Sequence, residues 1–76
     1  MPNLPVVTAK QVVAILKRNG FEESRQSGSH LRLVHDDGRA VTVAMHTGDI
    51  KRATLRMIIT QSELGIAAFI KGTGKK

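Results

Sequence analysis

Ser29-His30-Leu31-Arg32-Leu33-Val34-His35-Asp36-Asp37-Gly38-Arg39-Ala40-Val41-Thr42-Val43-Ala44-Met45 is the stretch that decides the fold. Leu31 and Leu33 alternate with polar residues, and so do Val41, Val43 and Met45, the period of two that marks half-buried strands. Asp36-Asp37-Gly38 between them is a turn signal. In an antiparallel hairpin, residues directly opposite share a face. For the leucines and valines to share one, paired residue numbers must sum to an even value. A three-residue loop of Asp36, Asp37 and Gly38 meets that condition, pairs His35 with Arg39, and puts Gly38 where a type I turn with a bulge needs a left-handed residue. A two-residue Asp37-Gly38 loop would set Leu33 opposite Thr42 and mix core and solvent faces, so it is rejected.

Working outward, residues 21–27 form a weaker strand in which only Phe21 is strongly apolar, and Ser27-Gly28 is a turn. Before it, Thr8 and Gln11 make the capping-box pattern that opens a helix over 9–18. Ala9, Val12, Val13 and Leu16 supply its buried stripe, Lys17 and Arg18 suit the negative end of its dipole, and Gly20 stops it. Residues 1–7, with Pro2 and Pro5, are an extended lead-in. After the hairpin, 46–50 is a loop holding His46, Gly48 and Asp49. A second helix spans about 51–63, with Leu55, Ile58, Ile59 and Ser62 on one stripe, and Gly65 ends it. Residues 66–70 read as a short apolar turn packed back on the sheet, and 71–76 as a flexible tail. The order α-β-β-β-α predicts an α+β fold: a three-stranded antiparallel sheet with helices on one face. Residues 1–76 are expected to form a single domain with its core over about 8–70.

Seventy-six residues exclude a large α/β enzyme. A domain this small buries only about 60% of its unfolded surface. With no cysteine it has neither disulfide nor thiolate metal site to staple it, so a partner or dimer is expected. No apolar run approaches the roughly 18 residues of a membrane span, and the N-terminus lacks the order of a signal peptide; a cytoplasmic protein without a membrane partner is expected. Twelve Lys and Arg against six Asp and Glu give a net charge of +6, which favours an anionic partner: nucleic acid, an acidic protein or a membrane surface. Two Phe and no Tyr or Trp argue against the aromatic platforms on which single strands stack.

The hairpin register sorts the histidines. His30 falls opposite Ala44 and Arg32 opposite Thr42, with His46 opposite Gly28 if pairing extends that far. All lie on the face away from the leucine–valine core, with no Asp or Glu aligned on it. His30 and His46 are then diagonal neighbours about 7–8 Å apart at the backbone, a spacing that lets two imidazoles flank one phosphate. Imidazole both gives and takes a proton near neutral pH. A zinc site would lack ligands, and no metal or other cofactor is expected. His35 has the other parity and sits by the turn.

Asn19-Gly20-Phe21-Glu22, Arg25-Gln26-Ser27-Gly28-Ser29-His30, Asp37-Gly38-Arg39, Val41-Thr42-Val43-Ala44-Met45-His46 and Thr54-Leu55-Arg56-Met57-Ile58-Ile59, in that order over roughly residues 8–70, resemble the HicA (YcfA-like) toxin family. The resemblance implies a fold similar to double-stranded-RNA-binding domains and a toxin of a toxin–antitoxin pair. It further implies an endoribonuclease that cleaves mRNA and is neutralised by a HicB-type antitoxin. The family's catalytic histidine, in its Gly-Ser-His motif, maps onto His30. The family's usual Pro two residues before the second histidine is Ala44 here, and its Gly before Thr-Leu is Ala53.

The leading expectation is therefore a metal-independent ribonuclease, with His30 as general acid or base and His46 as a candidate assistant. Arg25, Ser29, Arg32, Lys51, Arg52 and Arg56 are the candidate RNA or phosphate contacts. The alternatives are a non-catalytic RNA-binding module of the same fold, which has no need of His30, and an interaction protein whose basic face only meets an acidic antitoxin.

Overall fold

The structure, a computed structural model, describes residues 4–72. Its elements run α1 (Ala9–Arg18), β1 (Phe21–Ser27), β2 (His30–His35), β3 (Ala40–Ala44), α2 (Arg52–Ser62) and α3 (Ile66–Gly72). The strands form one antiparallel sheet in the order β1-β2-β3, and the helices lie on its apolar side.

α1 begins with the full capping box: Gln11 N–H donates to Thr8 Oγ1 at 3.2 Å and Thr8 N–H to Gln11 Oε1 at 2.8 Å. Its buried stripe is Ala9, Val12, Val13, Ile15 and Leu16. These pack with Phe21, Leu31, Leu33, Val41, Val43, Leu55, Ile58 and Phe69 in one core, whose burial drives assembly of the layers.

The β2–β3 hairpin has the expected register, with Leu31 on Val43, Leu33 on Val41 and His30 on Ala44. His35 N–H donates to Arg39 O at 2.8 Å and Gly38 N–H to His35 O at 2.9 Å. That is a type I turn closed by Gly38 at φ +99°, the conformation a three-residue hairpin loop asks of glycine. Arg39 then locks the turn. Its Nε sits 3.1 and 2.8 Å from the two Asp37 oxygens, its N–H donates to Asp37 Oδ1 at 3.0 Å, and its Nη1 reaches Ser62 O at the end of α2. The guanidinium lies 5.2 Å from the centroid of Phe21, so the Asp-Gly-Arg motif ties hairpin, β1 and α2 together.

Several expectations are corrected. β1 carries a bulge: Phe21, Glu22 and Glu23 pair with His35, Val34 and Leu33, but Arg25, Gln26 and Ser27 pair with Arg32, Leu31 and His30. Ser24 is the extra residue, and beyond it every side chain changes face. Glu22, opposite Val34, lies on the outer face, so that face has a carboxylate at the end remote from His30. β2 begins at His30, leaving Ser29 in the turn, and β3 ends at Ala44. The last ladder bond is from Met45 N–H to Ser29 O, so His46 belongs to the following loop and does not pair with Gly28.

α2 ends at Ser62, with Glu63 rather than Gly65 in the left-handed conformation that closes it (φ +59°). The buried Ser62 fixes this stop, since its hydroxyl donates to Ile59 O at 3.0 Å and accepts from Leu64 N–H at 3.3 Å. Residues 66–70 are not a turn on the sheet but part of α3, which packs on α1. Phe69 is fully buried, and partly buried Leu64 and Ala68 pack against the same core. The first two residues of the expected tail continue α3; residues 73–76 and the start of the lead-in lie outside the described residues.

Candidate nucleic-acid interface

The outer face of the sheet brings together three of the candidate residues, Arg25, His30 and Arg32. Antiparallel pairs alternate between hydrogen-bonded and non-hydrogen-bonded types. The bonds at His35–Arg39 and at Met45–Ser29 make the pairs between them with odd numbers hydrogen-bonded. His30–Ala44 and Arg32–Thr42 are thus non-hydrogen-bonded pairs, with Cα atoms about 4.5 Å apart and side chains closely apposed. His30 is exposed at the first position of β2, and exposed Arg32 follows two residues later on the same face. The small side chain of Ala44 leaves the His30 imidazole open on one flank.

The Ser24 bulge completes this face. Without it Arg25 would fall opposite Leu31 and point to the core side; with it, Arg25 lies directly opposite Arg32. Like charges directly opposite on a sheet are destabilising, by roughly 0.2–1 kcal/mol. Neither arginine is relieved by an ion pair. Among the described residues the ion pairs are Lys17–Glu23, Arg39–Asp37 and the His35–Asp37 contact. The two unpaired guanidiniums and the adjacent imidazole form a small anion-attracting patch.

His46 lies outside the sheet, on the wall of a cleft of about 390 Å³ between the loop after β3 and the start of α2. Ala44, Lys51 and Thr54 also line it, so the cleft begins at the residue opposite His30. Lys51 is the N-cap of α2, and no side chain caps that helix end. Ser29 is half-buried in the β1–β2 turn. Arg52 and Arg56 are not brought to the His30 face. They lie one turn apart on the solvent side of α2, beside Met57 and Thr60, around a separate hollow of about 480 Å³.

His35 has a structural place. It is half-buried, edge-on to Phe21 with ring centroids 5.1 Å apart, and its Nδ1 accepts from Asp37 N–H at 3.2 Å. The Arg39 guanidinium and N–H hold the Asp37 carboxyl below the usual carboxylate value. No group of three or more His, Asp or Glu side chains among the described residues is arranged to hold a metal ion.

The sequence matches the profile of the HicA toxin of bacterial toxin–antitoxin systems over residues 9–64, a span that runs from α1 past the end of α2 and includes His30 and the whole sheet. The chain belongs to the HicA toxin family. Among curated proteins no match is found. Membership places this HicA-family chain in a class that works against an antitoxin partner, and its α+β architecture agrees with that class. No helix among the described residues is long and apolar enough to cross a membrane.

Sequence reasoning missed the Ser24 bulge and with it the Arg25–Arg32 pair. The available signal was Phe21: strict alternation would put residues 21 and 25 on one face, and an inward phenylalanine with an outward arginine four residues on requires one extra residue between them.

Proposed function

We propose that this HicA-family chain is an endoribonuclease toxin that cleaves mRNA, with His30 as the acid–base group. It works in the cytoplasm as a single domain and is held inactive by a HicB-type antitoxin. The observation that carries this reading is the exposed His30 imidazole beside two directly opposed arginines that no carboxylate neutralises. A phosphodiester offers what those arginines lack, an anion between them, and sets its phosphorus near an imidazole.

The chemistry is a transfer within the RNA. The ribose 2′-oxygen bonds to the adjacent phosphorus, the bond to the 5′-oxygen of the next nucleotide breaks, and the products are a 2′,3′-cyclic phosphate and a 5′-hydroxyl. One proton leaves the 2′-hydroxyl and one arrives at the leaving oxygen; His30 handles one of these transfers. His46, on the cleft wall, is the candidate for the other. Arg25 and Arg32 hold the phosphate and favour the charge that builds on its oxygens. Lys51 extends the phosphate path along the cleft, Ser29 offers a hydroxyl at the turn, and Arg52 and Arg56 reach RNA only if it continues around α2. Every group in this scheme is supplied by the chain and the RNA, so no metal ion takes part.

His30→Ala tests the reading. A positioned acid–base group is worth about 10²–10⁴-fold in rate, so cleavage of a defined RNA should fall by that factor. Because the His30 side chain is exposed and engages no hydrogen bond among the described residues, the thermal midpoint should move by less than about 4 °C. Chelator should leave wild-type cleavage unchanged. A folded His30→Ala chain that cuts RNA at the wild-type rate overturns the assignment. A chain that binds RNA with a steep salt dependence but never cuts it is a binding module instead.

A further inference from the structure

We propose that the cleft beside His30 holds one nucleobase of the RNA next to the scissile phosphate, with Asp49 reading the base's hydrogen-bond donors and guanine fitting best. The inference rests on the ribonuclease reading and names the part of the substrate that would select the cut.

Position is the first support. The cleft starts at Ala44, which is paired with His30, so a nucleotide whose phosphate lies at His30 has its neighbour's base within reach of the opening. The volume, about 390 Å³, lies at the lower end of the range of small-ligand sites, roughly 300–1,000 Å³.

The lining is the second. Half-buried Ala44, Ile50 and Thr54 supply a mainly apolar floor for the flat face of a base, and exposed Asp49, Lys51 and His46 supply polar groups at its rim. Asp49 is out of place in a phosphate track, because a carboxylate repels phosphate. It is suited to base edges, which present N–H donors. Among the described residues no hydrogen bond or ion pair engages its side chain, and it does not cap α2, whose N-cap is Lys51. Its two oxygens are therefore available. Guanine alone of the four bases sets two donors, N1–H and the N2 amino group, side by side to match them, the same two-point geometry by which carboxylates take arginine.

Rigidity is the third. Ile50 N–H donates to Val7 O at 2.8 Å, and Asp49 bridges to Thr8. Val7 is fully buried, so the rim that carries Asp49 is anchored to the start of α1 before any ligand arrives. A preformed rim lowers the ordering cost of binding. Both phenylalanines, Phe21 and Phe69, are also buried, so no Phe, Tyr or Trp platform grips a single strand, and the cleft is the concave surface that can hold a base.

The test uses two arms. In the first, a random-sequence RNA pool is cut by the wild-type chain and by Asp49→Asn, and the bases flanking each cut are read. Guanine should be enriched at one fixed position beside the cut by wild type, and Asp49→Asn should erase that enrichment, by about 5- to 150-fold for one good two-point base contact. In the second, His30→Ala protein is titrated with tetrauridylate and with the same oligonucleotide carrying one guanine. The guanine probe should bind at least about fivefold tighter and shift the amide resonances of Gly48, Ile50 and Thr54. Asp49→Asn in that background should remove both effects while far-UV circular dichroism is unchanged. Cutting with no base preference at any flanking position, or a preference untouched by Asp49→Asn, overturns the proposal. A wild-type chain that cuts nothing fails the ribonuclease reading instead, and the binding arm then decides the cleft by itself.

Discussion

Substituting Gly20 separates two effects that the fold imposes at the entry to β1. Gly20 and Gly38 have nearly the same backbone conformation, φ +95° and +99°, which an L-residue adopts at a cost of about 1–2 kcal/mol. Their surroundings differ. A Cβ at Gly38 meets nothing within 4 Å, whereas at Gly20 it would stand 2.7 Å from Nε2 and 3.1 Å from Cδ2 of His35. That ring cannot swing aside freely, being edge-on to Phe21 and hydrogen-bonded through Nδ1. Displacing it gives up an aromatic pair and one hydrogen bond, about 1–3 kcal/mol together. Gly38→Ala should therefore cost about 1–2 kcal/mol, and Gly20→Ala about 2–5 kcal/mol. Against the roughly 4–11 kcal/mol expected for a chain of this length, the second loss is large but not uniformly fatal. Urea unfolding followed by circular dichroism measures each. In a His35→Ala background the clash disappears, so Gly20→Ala should fall to the Gly38→Ala value, with a coupling of about 1–3 kcal/mol. If Gly20→Ala is no more costly than Gly38→Ala, or equally costly with and without the His35 ring, the steric account is wrong.

Three further outcomes are expected. Arg25→Ala should lower RNA affinity and shrink its salt slope by about one, whereas deleting Ser24 removes the bulge but leaves Arg25 next after Glu23 and so still opposite Arg32, and should keep the slope; an unchanged slope in Arg25→Ala counts against the patch. The lowered Asp37 carboxyl contributes stability that is complete above its usual value of 3.8 and is lost as pH falls below that through the folded-state value. Wild type and Asp37→Asn should thus converge in denaturant midpoint as the pH is taken from 6 toward 2, and a constant gap would contradict the Arg39 pairing. The antitoxin should be acidic where it binds and should cover His30 with some of Arg25, Arg32, Lys51, Arg52 and Arg56. Stopped-flow association should slow with salt while the formed complex still blocks cleavage; a complex that leaves RNA cutting intact would refute this.

How much of this was readable from sequence follows from how local each constraint is. The β2–β3 register was legible because four inward residues, Leu31, Leu33, Val41 and Val43, leave one parity that buries them all. α1 was legible because Thr8, Gln11 and the apolar stripe lie within a few turns of each other. β1 was only half legible. Its one inward anchor is Phe21, and with every later residue of the strand exposed, no second apolar residue marks the change of face at Ser24. α3 was hidden for the opposite reason: residues 66–70 are apolar on all sides, so their period was invisible until Phe69 had a core to enter. His46 was placed in the loop after the hairpin, and only its conditional pairing with Gly28 fails, because the chain leaves the ladder at Ala44 and Asp49 and Ile50 meet Val7 and Thr8. That contact joins segments far apart in the sequence, residues 7–8 and 49–50, and no local pattern announces it. The hidden features are also those that build the proposed site. The bulge brings Arg25 opposite Arg32, and the distant pairing with residues 7–8 fixes the cleft in which His46 and Asp49 stand. A sequence comparison confined to the Gly-Ser-His motif would thus find the proposed acid–base group, and would miss the residues proposed to choose the cut.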